Sequence, residues 1–140
     1  MKYGVLTATA LYADMPYLNL GDQMQSEAIW YIYQKMGIPK HDIVTVELKD
    51  LIGGHVPLVA EQEYVILPLN VNLELSGIAT IFPLPAHIIP VFLGLSFYSA
   101  SRLPQELIDY FRYYAPIGCR DESTLQLMRQ YHIPAYLFGC

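Results

Sequence analysis

Two short stretches of this 140-residue chain put chemistry-bearing side chains where a strand would hand over to a helix. The first is Asn19-Leu20-Gly21-Asp22-Gln23-Met24-Gln25-Ser26. Asp22 can accept from the free amides of a first helical turn, and Gln25, three residues on, can return the bond as in a capping box. Gly21 supplies a permissive backbone just before it. Such a junction presents free N–H groups and the positive end of a helix dipole, which suits an anion or a sugar hydroxyl. The same residues are also ordinary loop-to-helix chemistry, and on their own they favour that structural reading. The second stretch is Ile117-Gly118-Cys119-Arg120-Asp121-Glu122-Ser123-Thr124, where Asp121 is the capping residue. Arg120 then lies near the positive end of a helix, an unfavourable place for a cation unless an anion is close. Either Asp121 and Glu122 provide that anion, as a local pair worth little at a surface, or Arg120 offers its guanidinium fork to a carboxylate or phosphate ligand.

Other chemistries find little support. The chain contains no Gly-x-Gly-x-x-Gly after its first strand and no Gly-x-x-x-x-Gly-Lys-Ser/Thr loop, so nucleotide binding by those routes is not indicated and no cofactor is expected. His41, His55, His87 and His132 lack the paired spacing of a helical metal site, so no metal is expected either. Cys119 and Cys140 read as reduced, buried thiols; a Cys119–His dyad stays open, because such partners meet only in space. Tyr110, Tyr113 and Tyr114 could stack on sugar rings, although amphipathic helix packing explains them more simply.

The elements that would carry these junctions alternate between β-rich and helix-like runs. Strands are expected at 3–8, 43–46, 64–67, 88–93, 116–119 and 135–138. Their apolar runs are continuous, as in strands covered on both faces, which predicts a mainly parallel sheet. A helix is expected over 22–36, with Ala28, Ile29, Ile32 and Met36 on its buried stripe and Gly37-Ile38-Pro39 closing it. A second follows Pro104 as a first-turn proline, burying Leu107, Ile108, Phe111 and Tyr114. A third covers 121–131 with Leu125, Met128 and His132 on one side. Residues 49–62 and 70–87 read as long irregular connections. The fold class is therefore α/β: a single three-layer, Rossmann-like domain over residues 1–140.

Composition narrows the partners. With a net charge of −5 and Lys and Arg scattered singly, no basic patch exists to displace counterions from a nucleic acid. Charged residues make up only 15% while tyrosine occurs 12 times, so much of the surface is uncharged and suited to a homo-oligomeric contact. The uncharged run 75–101 is long enough to span a bilayer, but Pro83, Pro85 and Pro90 suit loop and strand better than one helix. No membrane span and a cytoplasmic location are expected.

The order of these motifs resembles the polysaccharide pyruvyl transferase family. The resemblance rests on the Asn-x-Gly-Asp-x-x-Gln-Ser segment, on Ile-Ile-Pro-Val-Phe as a middle strand, and on Ile-Gly-Cys-Arg-Asp-Glu-Ser-Thr-Leu before a helix; His132-Ile133 and Phe138-Gly139-Cys140 follow. It spans about residues 3 to 140. It implies one half of a glycosyltransferase-B-like fold that moves a pyruvyl group from phosphoenolpyruvate onto a sugar during polysaccharide assembly. By that resemblance Asn19, Gly21, Asp22 and Gln25 line one side of a cleft, and Arg120, positioned by Asp121 and Thr124, contacts the anionic donor. Family members continue into a second domain that supplies a catalytic His. Here the chain stops at Cys140, so an amino-terminal half, inactive alone, is expected and no catalytic residue is assigned. Pro68-Leu69-Asn70-Val71-Asn72 also departs from the Gly- and aromatic-containing turn of the family. The competing expectation is a non-catalytic binding or oligomerisation module on the same fold.

Overall fold

The computed structural model describes residues 1–9, 13, 20–52, 63–74, 81–98 and 102–139. They form an α/β structure whose main sheet has four strands in the order Ile43–Glu47, Lys2–Thr7, Val65–Leu69, Ile88–Phe92. The chain divides into two compact units, Met1–Pro68 with Pro85–Ile89, and Leu69–Leu84 with Pro90–Cys140.

In the first unit, β1 (Lys2–Thr7) leads to α1 (Leu20–Lys35) and, past a 3-10 turn at Lys40–Asp42, to β2 (Ile43–Glu47). A parallel pair needs such a crossover, because no tight turn can reverse the chain twice. Tyr3 pairs with Ile43 and Thr7 with Glu47, while on the other side of β1 Lys2 pairs with Val65 and Tyr3 with Ile66 of β3 (Val65–Leu69). A short α2 (Leu48–Ile52) occupies the start of the connection expected to be irregular, and it buries Leu51.

α1 is fixed to β1 by two side-chain donors. The Ser26 hydroxyl donates to the Leu6 carbonyl at 2.7 Å, and the Tyr33 hydroxyl to the Gly4 carbonyl at 3.1 Å. Tyr33 joins Val5 and Ile43 in the core, flanked by Tyr3, Ile29, Trp30 and Ile38. Burial, with a smaller contribution from Tyr3, pushes the Tyr33 phenol up to about 12, so it stays a donor at any physiological pH. The expected stripe is corrected here. Only Ile29 of the four faces the sheet, while Ala28, Ile32 and Met36 are exposed. Turning the helix towards Tyr33 and Trp30 buries more area per residue and brings a donor to a strand carbonyl, which the aliphatic stripe cannot do. The helix ends as expected. Gly37 adopts φ +74°, its amide donates to Gln34 at 3.0 Å, and Ile38 donates back to Tyr33 at 3.0 Å, a Schellman closure.

The second unit carries two pairs of short parallel strands, β4 (Asn72–Glu74) with β6 (Ser96–Tyr98), and β7 (Ile117–Cys119) with β8 (Ala135–Leu137). β5 (Ile88–Phe92) precedes β6, and an isolated bridge from Leu95 to Cys119 links the β6 approach to β7. Neither β4 nor β6 was expected, since three-residue strands leave too short a pattern to read. α3 (Gln105–Tyr113) and α4 (Glu122–Gln130) complete the unit. Pro104 is the N-cap rather than a first-turn residue, its carbonyl accepting from Leu107 and Ile108. Leu107, Ile108 and Phe111 are buried as their spacing predicts, and Phe111 packs edge-on to Phe82 and Phe92 at centroid distances of 5.5 Å. α4 buries Thr124, Leu125, Leu127 and Met128. His132 is not part of that face, because it takes φ +55° just beyond the helix and donates to Arg129 at 2.9 Å while Ile133 donates to Met128. The buried Met128 and Ile133 then close a second Schellman turn, with His where glycine is usual.

Burial alternates along β3 and β5, whereas all three residues of β7 are buried. β7 is thus buried at every position, and Gly118 is the reason it can be. A Cβ there would stand 2.6 Å from the Phe92 carbonyl oxygen, a backbone atom that cannot step aside. At Gly4 the nearest atom, at 2.7 Å, is a Leu67 methyl that can rotate. Gly118→Ala is accordingly expected to destabilise by about 2 kcal/mol or more in urea unfolding, and Gly4→Ala by clearly less. Equal losses at the two positions would contradict this account of β7.

Candidate functional site

The β7–α4 junction is built around one carboxylate. Asp121 is the N-cap of α4 with extended backbone (φ −137°, ψ 161°), as the sequence indicates. Its Oδ1 accepts from the Thr124 amide at 2.8 Å and from the Ser123 hydroxyl at 2.6 Å, and its Oδ2 accepts a short bond from the Ser96 hydroxyl. Thr124, fully buried, uses its own hydroxyl oxygen to accept from the Phe97 amide at 3.0 Å. The start of β6 is thereby stitched to the first turn of α4. Desolvation works against the charge on Asp121, but hydrogen bonds from Ser123, Ser96 and Thr124 outweigh it and hold the carboxyl at about 2.

Arg120 sits between this cap and the end of β7, partly exposed, with its amide donating to the Leu95 carbonyl at 2.9 Å. The backbone at Arg120 is fixed by that bond and by the neighbouring cap, so the root of the side chain is held while its tip is long enough to reach solvent. Thr124 serves the arrangement through Phe97 and Asp121, and its burial leaves no surface for a ligand.

Cys119, immediately before Arg120, is inert. Burial first and the Asp121 charge second push its thiol up to about 12 despite Arg129, and the sulfur donates weakly to the Ile117 carbonyl at 3.7 Å. A thiol so protonated at neutral pH is no nucleophile. Tyr110 belongs to the core, its ring 5.7 Å from both Phe82 and Phe111 and its hydroxyl accepting from the Leu84 amide at 3.4 Å. Tyr113, at 80% exposure, points outward and meets Tyr114 edge-on at 4.8 Å.

The other junction lies in the first unit. α1 begins at Leu20, so Asp22 is the third helical residue and not the cap. The expected capping box with Gln25 is corrected accordingly: the chain turns helical before Asp22, which contributes instead as a first-turn acid facing the helix dipole. Gly21 is exposed, Asp22 and Gln25 are partly buried, and Asn19 lies outside the described residues. Gly21, Asp22 and Gln25 thus share one helical turn in the first unit, and Arg120, Asp121 and Thr124 share one junction in the second.

Two polar groups were missed. Ser96 completes the Asp121 cap from 25 residues away, and no local pattern marks it. Thr7 ends β1 with its Oγ1 buried and unpartnered among the described residues. Its signal was legible, since ligands of open parallel sheets gather beyond the carboxyl ends of strands. Nearby, the Thr9 hydroxyl donates to Glu47 at 2.9 Å across the ends of β1 and β2.

The depressed Asp121 carboxyl contributes stability above its unfolded value and loses it as pH falls from roughly 4 towards 2. Asp121→Ala is expected to cost about 1–2 kcal/mol at neutral pH. Asp121→Asn, which can still accept from Thr124, should lose less there but flatten the acid limb of stability against pH. Thr124→Val, which orphans the buried Phe97 amide, should cost about 1–3 kcal/mol, and Thr124→Ser much less. Chemical denaturation at several pH values checks all four.

No protein-family model matches this chain, no curated protein does, and no solved structure does.

Proposed function

We propose that this chain is a polysaccharide pyruvyl transferase-like domain that binds phosphoenolpyruvate through Arg120. In this reading it is one three-layer, Rossmann-like half of a glycosyltransferase-B-like enzyme acting in the cytoplasm, and the pyruvyl group passes to a sugar acceptor during exopolysaccharide synthesis. The observation that carries it is the β7–α4 junction. There, Asp121 caps α4 through Oδ1 and accepts from Ser96 through Oδ2, and the Arg120 backbone is rooted one residue earlier by its amide's bond to the Leu95 carbonyl. An arginine rooted one residue before a helix N-cap suits a ligand bearing both phosphate and carboxylate, because the fork and the helix dipole favour the same anion.

Asn19, Gly21, Asp22 and Gln25 are assigned to the sugar side by the motif resemblance. Thr7, whose buried hydroxyl at the end of β1 has no partner among the described residues, is added to them. Ketal formation joins two sugar hydroxyl oxygens to the central carbon of the donor and breaks its bond to the phosphate oxygen; one hydroxyl proton goes to the methylene carbon and the other leaves with the phosphate. The general acid for that step is assigned to a second transferase domain, and the residues named here are assigned to binding. The alternative, a non-catalytic module, is favoured by one observation, the apolar outward face of α1.

Calorimetric titration with phosphoenolpyruvate is the test. Saturable binding is expected, weakened at least about tenfold in Arg120→Ala and less in Arg120→Lys, which keeps the charge but loses the fork. Circular dichroism and thermal unfolding of both variants separate loss of the ligand contact from loss of the fold. Absence of binding, with or without a second transferase domain, would leave the non-catalytic module as the function.

A further inference from the structure

We propose that Ser96 is a positioning residue for anion binding at Arg120: its hydroxyl holds Oδ2 of Asp121 and so denies that oxygen to the neighbouring guanidinium. The inference rests on the donor-site reading and adds to it a residue that acts without touching the ligand. The sequence leaves two kinds of anion open to Arg120, the local carboxylates or a bound ligand. For Asp121 the choice turns on where its two oxygens are spent. Leu95, Ser96 and Phe97 bond one after another to this junction. The Leu95 amide donates to the Gly118 carbonyl at 2.8 Å, its carbonyl accepts from the Arg120 amide at 2.9 Å, and the Phe97 amide donates to the Thr124 hydroxyl at 3.0 Å. Between them, the Ser96 amide donates to the Val71 carbonyl at 3.0 Å, which pins its backbone from the other side.

Ser96 is only 5% exposed, so it has almost no surface to offer a ligand. Its hydroxyl reaches the Asp121 carboxylate at Oδ2, while Oδ1 serves α4 through Ser123 and the Thr124 amide. An ionised oxygen in a partly buried site does not go without a donor, because a lost bond costs more for a charged group than for a neutral one. With Ser96 reduced to alanine, Oδ2 needs a replacement. Oδ1 is fixed by the cap, so the replacement has to come to Oδ2, and Arg120, the adjoining residue, carries five N–H donors on a long stem. A guanidinium drawn onto Asp121 turns its fork from an incoming phosphate or carboxylate. Ser96 thus acts on ligand affinity through competition, with an effect the size of a partly exposed ion pair, roughly three- to fivefold.

The test is calorimetric titration of the whole chain and its variants with phosphoenolpyruvate, with circular dichroism confirming the fold of each. Ser96→Ala should bind roughly three- to fivefold more weakly than the wild type. Adding Asp121→Asn to it should restore the affinity, because a neutral amide no longer competes for the guanidinium, although the double variant is expected to be the less stable protein. Adding Glu122→Gln in its place removes a charge one residue further on and should restore little. Ser96→Cys, close in volume but a weaker donor, should fall between wild type and Ser96→Ala, and it carries the measurement if the alanine variant does not fold. A purely structural Ser96 gives the opposite order, with the Ser96→Ala, Asp121→Asn double variant binding worst. Unchanged affinity in the folded Ser96 variants, no rescue by Asp121→Asn, or equal rescue by Glu122→Gln would each overturn the inference and leave the donor site standing. A wild type that does not bind phosphoenolpyruvate overturns the donor-site reading and the role of Ser96 with it.

Discussion

A carboxylate that must stay ionised while partly buried needs donors on every side, and Asp121 obtains them by drawing together chain segments distant in sequence. Ser96 comes from the start of β6, Ser123 and the Thr124 amide from the first turn of α4. Because Asp121 is also the residue after Arg120, satisfying its charge fixes where β7 ends, where α4 begins and where the guanidinium is rooted. Thr124 extends the same logic by one bond, answering the Phe97 amide that its burial would otherwise strand. In the second unit the position of Arg120 follows from the hydrogen-bond needs of its neighbour.

What could be read from the sequence follows from how local each cause is. The cap at Asp121, the closure at Gly37 and the buried Leu107, Ile108 and Phe111 depend on residues within one or two turns, and their signals survive in a linear string. The six expected strands lie within about two residues of the observed ones for the same reason. Ser96 was invisible because its partner is 25 residues on. The start of α1 was misplaced because Asp22 is a plausible cap in sequence, while the helix had already begun at Leu20.

The buried face of α1 was misread for a more instructive reason. Its sequence holds two apolar patterns, one of aliphatic residues at intervals of four and one built on Ile29, Trp30 and Tyr33. Periodicity alone cannot rank them. The sheet chooses the second, because Tyr33 and Ser26 offer donors to carbonyls of β1 that the aliphatic row would leave facing hydrocarbon. A helix with one apolar face too many has either a partner for the other or an exposed surface that costs solubility.

The ionisable groups that the fold perturbs also bear on what the chain contributes to chemistry. Asp121 is held at about 2, Tyr33 and Cys119 are pushed up to about 12, and Tyr110 and Tyr114 are raised as well, each chiefly by burial except Asp121, whose hydrogen bonds prevail over it. Every one of these shifts moves a group away from neutrality. A general acid or base works best with its pKa near the operating pH, so these environments fix protonation states and do not poise them for transfer. Such groups hold geometry: Asp121 as a permanent acceptor, Tyr33 as a permanent donor. An activity assembled around this chain would take orientation and fixed charge from these groups.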